Sequence, residues 1–175
     1  MRKIPEIKNT VFLSSTIAIS KNVEDSFRFI VEKLPDHYKE ISDGHDYFRP
    51  VSGNSLSTGE KIECAEKAGN QSIVHEYIVD EIVPNTRIQY SSKPSLVKIK
   101  LPWSTIESQS NTYVFYDFDT DKQCNTLIRL TIGIQFKNLF EKLFSQLFMG
   151  IAPWKKHCNE EMTGLKQVLE RSDAG

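Results

Sequence analysis

No stretch of this chain stays apolar for long. The longest such run, Leu147 to Trp154, falls far short of the roughly 20 residues that cross a bilayer, which excludes an integral membrane protein built on helices. A secretory leader is not expected either. Glu6, Lys8 and Asn9 follow Met1-Arg2-Lys3 before any apolar run, and Val11 to Ser20 is broken by Ser and Thr. Charge of one sign is absent too. The 22 Lys and Arg against 23 Asp and Glu leave a formal charge of -1, with the lysines scattered among acidic residues. There is no basic face for nucleic acid, which is therefore not an expected partner. Cysteine is scarce: Cys64, Cys124 and Cys158 lie far apart, odd in number and without a Cys-x-x-Cys pair. That excludes a disulfide framework and points to a reduced, cytoplasmic protein. No Gly-rich phosphate loop and no Ser-His-Asp or Cys-His spacing is found, nor any repeat, linker or low-complexity tract.

What the chain does contain is the composition of an ordinary globular domain, 39% hydrophobic and 26% charged, with residues 1–175 read as one unit. Val11 to Ser20, rich in β-branched residues, predicts a strand with Val11, Leu13, Ser15, Ile17 and Ile19 on one side. Asn22 is placed to cap a helix whose stripe is Val23, Phe27, Ile30, Val31 and Leu34, ended by Pro35, with a second short helix over Asp36 to Ser42. From His45 onward the punctuation is that of an antiparallel meander. Strands are predicted at Tyr47 to Val51, Lys61 to Ala65, Ser72 to Val83 and Thr86 to Ser91, with turns at Gly69-Asn70 and Pro84-Asn85. Lys93 to Thr105 reads as irregular around Pro94 and Pro102, before a last hairpin of Asn111 to Phe118 and Cys124 to Phe136.

Phe136 to Ser172 then reads as one long amphipathic helix, kinked or broken at Pro153. A break there is expected to turn its second half away from the sheet. In that half Trp154, Cys158, Met162, Leu165 and Leu169 form one stripe at about 100° per residue. Glu161 falls inside the stripe and His157 lies one turn below it, while Glu160 points away. A carboxylate on a buried face needs a lysine, a hydroxyl or a metal ion beside it. In the first half, Leu139, Phe140, Leu143, Phe144, Leu147, Phe148 and Ile151 are apolar over more than one face, and packing against the sheet is the expectation; a surface meeting lipid or a partner chain, as in a homodimer, is the alternative.

This order of one strand, two helices, a meander and a long terminal helix predicts an α+β fold in which a curved antiparallel sheet of about seven strands wraps the helix. It resembles the START/SRPBCC superfamily, whose helix-grip fold is also called polyketide cyclase-like. The features that carry the resemblance are the opening strand and helix, the stretch Val79-Asp80-Glu81-Ile82-Val83-Pro84-Asn85-Thr86-Arg87-Ile88, and the terminal helix. The resemblance implies a cavity for a hydrophobic or aromatic small molecule, with function varying widely within the fold.

A narrower resemblance rests on Tyr38-Lys39, His45-Asp46-Tyr47-Phe48, Glu76 and His157-x-x-x-Glu161. This layout is similar to that of the diacetylphloroglucinol hydrolases, which cleave a carbon-carbon bond next to a carbonyl with zinc held by two His and two Glu. The resemblance implies His45, Glu76, His157 and Glu161 as zinc ligands, with Tyr38 or His37 as proton donor. The strand holding Glu76 leaves its orientation open. If Val74, Ile78 and Ile82 face inward, Glu76 does too; if His75, Tyr77 and Val79 do, His75 becomes the ligand candidate and Glu76 faces water. Asp43 and Asp80 are weaker reserves. A carrier or sensor of a hydrophobic ligand or lipid, without catalysis, needs only the cavity and is the alternative function.

Overall fold

The computed structural model describes residues 2–123, 125–147 and 150–171. Its elements in chain order are β1 (Thr10–Ile19), α1 (Val23–Glu32), α2 (Leu34–Ile41), β2 (His45–Pro50), β3 (Lys61–Ala68), β4 (Gln71–Val83), β5 (Arg87–Ser92), β6 (Ser95–Lys100), β7 (Thr105–Thr120), β8 (Thr126–Gln135), α3 (Leu139–Leu147) and α4 (Ala152–Arg171). The eight strands form one sheet in the order β1-β8-β7-β5-β4-β3-β2, with β6 paired to both β4 and β7. All pairs are antiparallel. The α+β helix-grip architecture expected from the sequence is the one observed.

Local chemistry explains the first helices. The Asn22 side chain accepts from the Asp25 amide at 2.7 Å, satisfying one of the orphan donors at the start of α1. Pro35 does not merely end that helix. It sits in the first turn of α2, where its missing N–H has no intrahelical partner to lose. Lys93 to Thr105, expected to be irregular, contains strand β6 and the start of β7, paired from Ser95 with Ser110 to Lys100 with Thr105. Alternation of Val97 and Ile99 with exposed Leu96 and Lys98 follows strand period, and the prolines fall outside the β6 ladder.

The single long terminal helix is corrected to two. A break over 150–151 separates α3 from α4, and Pro153 occupies the first turn of the second helix. The break does not turn α4 away. Trp154, His157, Cys158, Glu161, Met162, Leu165, Val168 and Leu169 are all buried, and α4 packs on β1 and on α2. The closest seat is at Gly164, where an added Cβ would strike the backbone carbonyl of Ile41.

Core packing of the first half is also corrected. Leu139, Phe140, Leu143 and Phe144 are between 48% and 77% exposed, so this face of α3 looks outward, while Ile151 packs on a small cluster with Trp154. The Leu147 side chain and Phe148 lie outside the described residues. The main core is built from the inner faces of the sheet with α1, α2 and α4. Of the cysteines, Cys64 and Cys158 are buried and free, and Cys124 is outside the described residues. No helix among the described residues is long and apolar enough to cross a membrane.

Candidate metal centre and cavity

Three buried side chains converge where α4 crosses the edge of the sheet. Ligand atoms of His45, His157 and Glu161 all lie within 4.8 Å of one another. His45 opens β2, and its ring stacks on Tyr38 of α2 with centroids 3.7 Å apart. Its Nδ1 lies 2.8 Å from the Tyr38 carbonyl, which can only accept, so Nδ1 carries a hydrogen and, in the neutral ring, Nε2 holds the lone pair. That Nε2 is buried without a hydrogen-bond partner. The preceding Gly44 lets α4 come close, since a Cβ there would press on the Lys67 carbonyl and lie 2.9 Å from Cε1 of His157.

His157 Nε2 is likewise buried and not hydrogen-bonded, with the Glu66 carboxylate 3.5 Å away at ion-pair distance. Glu161, one turn on, accepts from the Tyr116 hydroxyl at 2.6 Å. Glu66 lies directly across the strand pair from His45 and accepts from the Tyr38 hydroxyl at 2.7 Å and the Cys64 thiol at 3.0 Å. Each carboxylate is thus oriented by a phenol from a neighbouring element.

Two carboxylates in one buried site push each other apart in acidity. Burial opposes ionisation of Glu66, but the His157 contact and the nearby His75 and His45 outweigh it and hold its carboxyl well below the ordinary range. Glu161 goes the other way: burial, with Glu66 adding to it, raises its carboxyl despite His45 and His157. For His157, burial lowers basicity, yet Glu66, Glu161 and Glu160 carry the net shift upward. Burial first, and then the neighbouring acids, push the phenols of Tyr38 and Tyr116 well above their usual value.

Glu76 is corrected as a candidate ligand. It faces solvent and pairs with Lys93 at 2.9 Å, because β4 turns Ile73, His75, Tyr77 and Val79 inward. His75 is inside, but its Nδ1 is engaged with the Ser95 hydroxyl at 3.0 Å and its ring stacks on Tyr77. Asp80 is outward, bonded to Gln89 and Ser91, and Asp43 is exposed. His37 stands outside the site, against Phe29 and Glu40. Tyr38 is at the site, with its hydroxyl engaged by Glu66. The residue the sequence reading missed is Glu66. Its signal was the alternation Ile62, Cys64, Glu66, Ala68, which places it inward once β3 runs three residues beyond Ala65.

A cavity opens beside this cluster, lined by Tyr38, Glu66, His75, Tyr77, Tyr90 and Glu161 and continued by apolar side chains of β6, β7 and β8. It measures about 40 Å³, room for a few waters. Fold and site together define a helix-grip domain with a histidine-carboxylate cluster at the wall of a narrow internal cavity.

Among solved structures the chain is similar to a Thermus thermophilus protein, with a TM-score of 0.67 at 12% identity over 93% of this chain and 99% of that one. It is similar to KanY, with a TM-score of 0.63 at 13% identity over 92% and 98% of the two chains. Major latex-like protein 151 of Panax ginseng gives 0.55 at 13% identity over 85% and 97%. At such identities the likeness shows the fold alone. No protein-family model and no curated protein matches the chain.

Proposed function

We propose that this protein binds a small carbonyl-bearing molecule beside a divalent metal, zinc by preference, with His45, His157 and Glu161 as ligands and Glu66 in the place first given to Glu76. The observation that carries the reading is the pair of buried imidazole Nε2 atoms, in His45 and His157, that make no hydrogen bond. Buried polar atoms are almost always paired, and two nitrogens and two carboxylates are a donor set that suits zinc. When bound, the ion would polarise a carbonyl and acidify a water, the chemistry needed to hydrolyse a carbon-carbon bond next to a carbonyl, as in a β-diketone or an acyl-phenol.

The chain's own residues supply the rest. The Tyr38 carbonyl fixes the His45 tautomer, as outer partners of ligating histidines do. Tyr116 and Tyr38 hold one oxygen each of Glu161 and Glu66, leaving the second oxygens free to point at the cluster. Tyr77 and Tyr90 wall the cavity and limit water around the bound carbonyl. Protein purified without chelator or metal-affinity resin should carry stoichiometric zinc, and the His157→Ala, Glu161→Ala double variant should lose it. Zinc that is absent, or unchanged in the double variant, sinks the metal reading.

One observation favours a carrier without metal. His157 and Glu66, shifted in opposite directions and 3.5 Å apart, form an ion pair that neutralises part of the site by itself. Native mass spectrometry separates the two: a co-purified organic ligand with no metal supports the carrier.

A further inference from the structure

Beyond the cavity at the cluster lies a second one under α3, of about 50 Å³ on the same measure. Ile99, Phe136, Ser145 and Ile151 line it, and four residues, Val97, Ser110, Ile134 and Trp154, line both cavities. These four are the partition. Trp154 is its largest member, 6% exposed, with its ring edge-on to His157 at 5.6 Å. Its indole N–H donates to Gln71 Oε1 at 2.8 Å, and the Gln71 amide in turn donates to the Gly150 carbonyl at 3.0 Å, in the break between α3 and α4. The indole N–H is therefore tied through Gln71 to the break between the two terminal helices, while the ring packs with Val11, Leu13, Ala68 and Ile73.

We propose that Trp154 is a gate that joins the two cavities into one elongated ligand site, with Gln71 as its latch. The proposal rests on the small-molecule reading above and names its substrate class: a ketone-headed molecule with a linear apolar tail. The two cavities, even added together, stay well below the roughly 300 Å³ of ordinary ligand sites, so the room that the indole itself vacates is part of the joined site. A swing of the indole removes the wall between them. The polar head then meets the His45, His157, Glu66 and Glu161 end, and the tail runs past Val97 and Ile134 into the apolar space under Ser145.

The probes are acetophenone, hexanophenone and decanophenone, titrated into the full chain. The chain has two tryptophans, and Trp103 is 95% exposed, so Trp103→Phe leaves Trp154 as the sole emitter. Decanophenone should shift the Trp154 emission and acetophenone should not. Trp154→Ala, and Gln71→Leu, which frees the latch but keeps the indole, should each tighten decanophenone binding about tenfold and leave acetophenone unchanged. If Trp154→Ala does not fold, Gln71→Leu decides. An unchanged chain-length profile in the folded variants, or the same emission change with every homologue, overturns the gate. Zinc counted on the same samples keeps the failures apart: no zinc with intact chain-length selectivity removes the metal centre alone, and zinc without selectivity removes the gate alone. No binding of any homologue to any variant, whatever the zinc content, overturns the gate and the carbonyl-ligand reading it rests on.

Discussion

At the scale of single residues, position on a strand face decides chemistry. Glu66 and Glu76 are both glutamates on neighbouring strands, yet one faces three histidines and the other faces Lys93. Glu66→Gln should therefore weaken zinc binding by about 10 to 100-fold in a competition titration, and Glu76→Gln should leave it unchanged. Equal effects would return Glu76 to the ligand set. His75 makes a separate contribution to acid stability. Burial, only partly offset by Glu66, lowers its pKa from 6.5 to about 4. The unfolded chain then takes up the proton first, so the stability is whole above the unfolded value and drains away as the pH falls from 6.5 towards 4. The loss amounts to at most about 3 kcal/mol. Glu66, depressed in the fold, adds loss in the same direction below the ordinary carboxylate range. Urea unfolding of His75→Phe should show a shallower decline across that window than the parent chain.

At the scale of elements, the seat of α4 matters more than its continuity. Pro153 interrupts what reads as one amphipathic run, but a proline in the first turn costs little, and the new helix keeps the phase that buries His157 and Glu161. Contacts with β1 and α2 hold that phase, and α2 also supplies Tyr38 to both His45 and Glu66. Gly164 allows the approach to the Ile41 backbone. Gly164→Ala should lower stability by about 1 to 3 kcal/mol or more and loosen metal binding along with it, measured by thermal melts with and without zinc. A neutral effect on both would mean that α4 shifts without disturbing the cluster. The apolar face of α3 shows the limit of pattern reading, since Phe140 at 77% exposed carries the same periodicity as a core residue.

At the scale of the whole molecule, the site joins α2, β2, β3, β7 and α4, so a metal that binds only the folded chain stabilises all of them together. Zinc at about 100 times its dissociation constant should add about 2.7 kcal/mol, seen as a rise in Tm that chelator reverses. An equal rise in the His157→Ala, Glu161→Ala variant would place the metal elsewhere, and no rise in the parent chain would remove it. Local sequence was enough for the element order apart from β6 and the split of the terminal helix, for the Asn22 cap and for the His157 and Glu161 pair, because caps and periodicity act within a few residues. Which face of β4 is inner could not be read locally, since both faces carry apolar residues and a one-residue change of phase exchanges Glu76 for His75. Glu66 became visible only through pairing: it meets His45 across β2 and β3, and His157 from 91 residues further along. Sequence by itself determined most of the elements and the chemical kinds of group available. The tertiary structure decided which carboxylate joins the histidines and that Trp154 stands between two cavities, because those relations are set by strand pairing and helix seating between residues far apart in the chain.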